Sequence, residues 1–264
     1  MPAQAPRQPR RLWRRPVRGV LMGLFLWLAG SIGQGHAQTV GHTPLQATVL
    51  EAHFYGPTTE YRHALLGDAI EWSGLALAGH FSDGTPMMTK IDLPSNHVFE
   101  DLFPRRVDLD LDGLTDAVMV VETDVTLGAA LALYGAGGKI AQTPHIGRPN
   151  RWLAPVGAAD LDGDGHVEVA YIDRPHLAKT LRVWRYRAGE LREIVTLQAL
   201  TNHRIGEDFI SGGLRDCADG PELVLADAQF DKIVVVRLSR GNLVRTDTGV
   251  DATPAGFSAV LECA

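Results

Sequence analysis

Two short acidic segments constrain this chain more than any other feature. They are Asp108-Leu109-Asp110-Leu111-Asp112-Gly113-Leu114-Thr115-Asp116 and Asp160-Leu161-Asp162-Gly163-Asp164-Gly165-His166-Val167-Glu168. Both have the form D-x-D-x-D-G-x-x-[DE], and their first aspartates lie 52 residues apart (160 minus 108). Each runs directly into an apolar β-type stretch, Ala117-Val118-Met119-Val120-Val121 and Val169-Ala170-Tyr171-Ile172. Carboxylates at alternate positions of a tight loop converge on one centre, and glycine allows the bend that brings the ninth position back to it. A hard cation such as calcium requires such a set of oxygens. Without a cation, four clustered carboxylates repel one another. An EF-hand begins in the same way but needs an acid at position 12 and helical flanks. Position 12 here is Met119 or Tyr171, and the flanks are β-type.

The first 37 residues read as a secretory leader. Six arginines between Arg7 and Arg18 precede an apolar stretch from Val20 to Ile32 and a small-residue site at Gly35-His36-Ala37. Thirteen residues are short of the ~20 that a membrane-spanning helix needs. This division leaves residues 38–264 as one domain with no membrane span. The leader holds six of the 25 basic residues and none of the 31 acidic ones, so the remainder carries 19 − 31 = −12. A chain this acidic is a poor partner for nucleic acid. Periplasmic or secreted localisation follows, and in such a compartment the two cysteines, Cys217 and Cys263, are expected to pair.

The acidic segments punctuate a repeat. After each come strand-like runs: 116–122, 130–134 and 139–142, then 167–172, 180–186 and 193–197. A further set at 222–226, 232–238 and 242–246 follows a decayed loop, Arg215-Asp216-Cys217-Ala218-Asp219-Gly220-Pro221-Glu222. No cation is expected in that loop, and Arg215 would supply its positive charge. Runs at 47–54, 62–66 and 72–78 suggest a partial first unit, and 79–93 adds a hairpin or part of a fifth. The terminal run Gly256–Leu261 reads as a strand that closes the ring onto that first unit. The fold class is therefore all-β, a small β-propeller of about four blades, with five as the alternative. In this scheme Cys217 and Cys263 lie at the same end of adjacent inner strands.

The two loops and their flanks resemble FG-GAP/VCBS repeats, the calcium-bearing blades of integrin-α-type β-propellers. Ala158-Ala159-Asp160-Leu161-Asp162-Gly163-Asp164-Gly165-His166-Val167-Glu168-Val169 matches that pattern closely, whereas Leu111 stands where glycine is usual. The chain also resembles exported bacterial VCBS-repeat proteins of undefined role. The resemblance implies calcium held by the side chains of Asp108, Asp110, Asp112 and Asp116 with the Leu114 carbonyl. In the second loop it implies Asp160, Asp162, Asp164 and Glu168 with the His166 carbonyl.

A second pattern recurs in the connections before each acidic loop: Ser95-Asn96-His97, Thr143-Pro144-His145 and Thr201-Asn202-His203-Arg204. Such clusters are ordinary turn chemistry. On a propeller, however, they would share the face opposite the acidic loops, where His97, His145, His203 and Arg204 would suit an anionic ligand. There is no G-x-S-x-G elbow, no H-E-x-x-H helix and no G-x-x-x-x-G-K loop. The first expectation is an exported, monomeric, calcium-binding module that binds or scaffolds a protein or glycan. The alternative is a saccharide- or anion-directed enzyme using His97, His145 and His203.

Overall fold

The computed structural model describes residues 47–61, 63–67, 69–217 and 219–263. The leader expected over residues 1–37 lies outside the described residues. The described chain is nearly all β, organised as successive antiparallel meanders. The first comprises β1 (Ala47–Thr58), β2 (Glu71–Phe81) and β3 (Pro86–Asp92). Short β4 (His97–Phe99) ties it to the next by pairing with both β2 and β6. The second has β5 (Arg105–Val107), β6 (Ala117–Asp124), β7 (Gly128–Gly135) and β8 (Gly138–Gln142). The third has β9 (Leu153–Ala159), β10 (Glu168–Asp173), β11 (Thr180–Arg187) and β12 (Glu190–Gln198). After β13 (Leu200–Thr201), the fourth has β14 (Gly213–Cys217), β15 (Gly220–Asp227), β16 (Lys232–Ser239) and β17 (Asn242–Asp251).

The cores lie between consecutive meanders. Leu75, Leu77 and Phe99 meet Val118, Val120 and Tyr134 between the first and second. Met119, Leu131 and Leu133 meet Trp152, Val169 and Tyr171 between the second and third. Ile172, Leu181 and Val183 meet Leu223, Leu225 and Val234 between the third and fourth. Every residue of β6 and β7 is therefore buried, which is why β7 and the first five residues of β6 are continuous apolar runs, whereas Glu122, Thr123 and Asp124 end β6 as buried polar groups. Outer strands β12 and β17 contain only half-buried and exposed positions and carry Glu, Arg and Asp outward. Charge on an edge strand opposes pairing with another chain.

Two expectations are corrected. The terminal segment is not a closing strand but helix α1 (Pro254–Leu261). Thr253 caps it, accepting a hydrogen bond from the Gly256 N–H at 3.1 Å, and Pro254 occupies the first turn. Phe257 and Val260, three apart on one helical face, pack on Val224, Ala226 and Val235 and cover the last sheet. Of the run at 62–66 read as a strand, residues 63–66 form part of an irregular connection between β1 and β2. Leu65 and Leu66 both pack onto the core between the second and third meanders, which a strand's alternation would not allow. The predicted hairpin at 79–93 is present as the β2–β3 turn. Cys217 and Cys263 form a disulfide that ties the end of β14 to the end of α1. No helix of the described residues is long and apolar enough to cross a membrane.

Candidate metal centre

Each acidic loop joins two paired strands. Val107 pairs with Ala117 across the base of the first loop, and Ala159 pairs with Glu168 across the base of the second. The carboxylates organise the turn between them. In the first loop Gly113 N–H donates to Asp108 Oδ2 at 2.8 Å, Leu114 N–H to Asp112 Oδ1 at 2.8 Å, and Leu109 N–H to Asp116 Oδ1 at 3.1 Å. In the second, Gly163 and Gly165 donate to Asp160 at 2.8 and 2.9 Å, His166 to Asp164 at 3.1 Å, and Leu161 to Glu168 at 2.9 Å.

These bonds leave oxygens over. Oxygens of Asp108, Asp110 and Asp116 lie within 4.8 Å of one another, as do those of Asp160, Asp162 and Glu168. Asp108 Oδ1 and Asp162 Oδ1 are buried without a hydrogen-bond partner. A buried carboxylate oxygen facing other carboxylate oxygens is costly unless a cation joins them. The all-oxygen donor set suits a hard divalent ion. Electrostatics agrees for the first loop. Burial, reinforced by Asp110 and Asp108, pushes the Asp116 carboxyl up to about 7. Burial and then Asp112 raise Asp110. Asp112 and Asp164, expected as ligands, stand outside the two convergent triads and bond loop N–H groups.

The second loop contains a partner that sequence reasoning missed. Arg185 of β11 reaches Glu168 Oε1 at 2.5 Å, Asp162 Oδ2 at 2.9 Å and Asp164 Oδ2 at 2.6 Å. The signal was cross-strand: Arg185 is the ladder partner of Glu168. The fourth meander follows the same logic further. Its decayed loop has shrunk to a tight turn, with Cys217 paired to Gly220. Glu222 holds Arg215 at 2.6 Å and Arg237 at 2.7 Å.

At the opposite end of the sheets, the expected histidine site divides. His97 and His145 meet edge to face at 5.8 Å. His97 is held by Glu122 at 2.7 Å, and His145 donates from Nδ1 to the Gly128 carbonyl at 2.7 Å and accepts at Nε2 from the Gln142 amide at 3.0 Å. His203 pairs instead with His176 at 2.9 Å and the Glu207 carbonyl at 3.0 Å. With both ring nitrogens engaged and 2% exposure, His203 has no face left for a shared ligand. Arg204 lies over the Phe230 ring at 4.1 Å. The three-histidine site is therefore corrected to two separate pairs.

The fold and these loops define an all-β protein with repeated acidic turns. Residues 108–171 match the FG-GAP-like repeat family. Among solved structures, the chain is similar to the crystal structure of exotype rhamnogalacturonan lyase YesX, with 14% identity and a TM-score of 0.40. The likeness covers 77% of this chain and 48% of that one, so the chain spans about half the length of that structure. No curated protein matches it.

Proposed function

We propose that this is an exported calcium-binding module, a small propeller-type domain that presents its surface to a protein or glycan partner while calcium stabilises the acidic turns. The observation that carries this reading is the pair of convergent triads with buried, unpartnered oxygens at Asp108 and Asp162. The FG-GAP-like repeat over residues 108–171 supports it. Export is supported by the leader-like sequence and by the Cys217–Cys263 disulfide. When bound, calcium would neutralise the carboxylates at each loop. Asp108, Asp110 and Asp116 would hold it in the first, and Asp160, Asp162 and Glu168 in the second, with the Leu114 and His166 carbonyls as proposed additions.

The two sites should not be equal. In the first, no arginine is in contact with the triad among the described residues; in the second, an ion must displace Arg185 or share with it. The test is thermal unfolding of the oxidised protein in calcium and in EGTA, with bound metal counted by mass spectrometry. A calcium-dependent rise in melting temperature is expected, with the first ion at low calcium and a second only at higher concentration. Equal melting in both buffers with no bound calcium would end this reading.

A further inference from the structure

At the end of the sheets opposite the acidic loops, connections from successive meanders converge on a cavity of about 220 Å³. His63 and Leu65 reach it from the β1–β2 connection, Trp152 from just before β9, Leu177 from the β10–β11 turn and Ile205 from the segment before β14. Its walls are almost wholly apolar atoms, and the polar groups around it are bonded elsewhere. Glu100, fully buried after β4, holds His63 Nδ1 at 2.5 Å, and its main-chain carbonyl accepts from Trp152 Nε1 at 3.0 Å. His176 pairs with His203, and burial drives it down to about 4, so it is neutral at pH 7. Arg174 is spent on Asp173, at 2.7 and 2.9 Å.

Such a cavity suits an apolar group and not a hydroxylated one. A sugar would give up water at each buried hydroxyl and find no partner in the walls. The volume equals roughly seven waters at ~30 Å³ each, room for one large side chain and less than a drug-sized ligand fills. The mouth is apolar as well, since Leu177 and Ile205 are 67% and 78% exposed. Adjacent exposed apolar side chains around a pocket mark a contact surface. Charge adds a second constraint. Among the described residues no acid lines the cavity, whereas Arg151 and Arg174 do. Arg174 is balanced by Asp173, but Arg151 donates only to the carbonyl of exposed Asn150, at 2.7 Å, and has no carboxylate partner among the described residues. Its stem contributes to an apolar wall while its charged head stays outside. From residue 38 onward the chain has 19 basic against 31 acidic residues, so an unmatched guanidinium beside an apolar mouth is a local exception.

We propose that this cavity is the anchor site of a protein partner: one leucine- or phenylalanine-sized side chain enters it, and an acidic residue beside that anchor meets Arg151. The inference rests on the reading of this chain as a binding module, and it chooses protein over glycan. A buried anchor ringed by contacts that exclude water is how interfaces concentrate affinity. The probes are N-acetyl-phenylalanine amide, N-acetyl-glycine amide, N-acetyl-aspartyl-phenylalanine amide and cellobiose. Each is titrated into the oxidised protein in calcium and followed by NMR at the Trp152 indole. The phenylalanine amide should saturate with a Kd on the order of millimolar, as one anchor without the rest of an interface warrants, and the glycine amide and cellobiose should not bind. The aspartyl-phenylalanine amide should bind about threefold tighter, the scale of an exposed ion pair, and Arg151→Met or high salt should remove that preference while leaving the neutral amide unchanged. Leu177→Asn and Ile205→Asn, at exposed positions that the fold does not need, should each weaken the phenylalanine amide at least threefold. No saturable binding of the phenylalanine amide, equal binding of the glycine amide, or tighter binding of cellobiose would overturn the site. Calcium-dependent melting of the same sample separates the two readings: stabilisation by calcium without amide binding overturns this inference and leaves the cation sites standing.

Discussion

The first acidic loop and the matching turn of the fourth meander put an acid at the same place, just before a buried strand, and treat it in opposite ways. Asp116 accepts from the Leu109 N–H but has no arginine beside it among the described residues, and burial with Asp110 and Asp108 raises its carboxyl to about 7. Glu222 is also opposed by burial, but hydrogen bonds from Arg215 and Arg237 hold it below its ordinary range. The difference has a structural origin. Arg237 follows Val236, the ladder partner of Leu223, which places it opposite Glu222. In the second meander β7 ends at Gly135, opposite Ala117, so the ladder stops before any residue can face Asp116. The second loop lies between these cases: burial raises Glu168, and Arg185 pulls against it. The repeat therefore grades from an acid with no arginine beside it to an acid held by two, and each arginine is carried by a strand that runs on past its loop's acid.

The largest predicted effect tests whether the arginine-held end is independent of calcium. It is also stapled, by a disulfide spanning 46 residues. Replacing Cys217 and Cys263 with Ser should cost about 4 kcal/mol on the chain-entropy account. Urea unfolding should show the same loss in calcium and in EGTA, since distant sites add. A loss that calcium largely repairs would mean that the two ends are coupled and the comparison is too simple.

Removing calcium should act next most strongly, and at the other end. At calcium a hundredfold above its dissociation constant, EGTA should cost about 2.7 kcal/mol, and Asp116→Asn should remove most of that response. The pH dependence in EGTA follows from the signs. The folded-state pKa of Asp116 is raised from 3.8 to about 7. Its contribution is therefore fully present below about pH 4 and is lost as pH rises through 7. Glu222 is lowered from 4.5, so its contribution is present above that pH and is lost as pH falls through its folded value. Melting curves from pH 3 to pH 8 should show Asp116→Asn abolishing the neutral-side decline and Glu222→Gln abolishing part of the acid-side decline. Matching profiles for the two variants would contradict the assignment.

The second loop sharpens the comparison, because there both counter-charges are available. Arg185→Met leaves Asp162, Asp164 and Glu168 without their guanidinium and should cost about 2 kcal/mol in EGTA. Calcium should recover most of this, and the variant should bind its second ion at lower calcium than wild type. An equal loss in both buffers would show that Arg185 packs rather than neutralises.

Much of this was legible in the sequence because the signals were local. The D-x-D-x-D-G spacing marks both loops, and the apolar runs after them mark β6 and β10, with boundaries shifted by a residue or so. What failed required knowledge of neighbours. Gly256–Leu261 is apolar enough for a strand, but Thr253-Pro254 is a helix start, and the exposed face of the last sheet decides the matter by taking Phe257 and Val260. His63 and Glu100 are 37 residues apart, with nothing in either segment to announce the pairing. Arg185 was hidden for a similar reason, since its partner is set by strand register and not by sequence distance. His203 was misread because a turn motif shared by three connections does not fix which way each ring turns.

The smallest effect lies inside the first loop, at its fourth position, where leucine stands in place of the second loop's glycine. Leu111 and Gly163 occupy the same position, four residues into their loops, with φ of +62° and +75°. Glycine adopts that conformation freely, whereas a leucine does so at a cost of roughly 1–2 kcal/mol. Leu111 is also 42% exposed, so its truncation removes little packing. Leu111→Gly should stabilise the protein by about 0.5–1 kcal/mol, because relief of the backbone cost is partly offset by the added freedom of the unfolded chain. Leu111→Ala separates this account from the alternative that an exposed leucine is itself unfavourable. Alanine keeps the Cβ that resists positive φ, so it should give no gain. If both variants stabilise equally in urea, the backbone at Leu111 is not the source of the difference between the two loops.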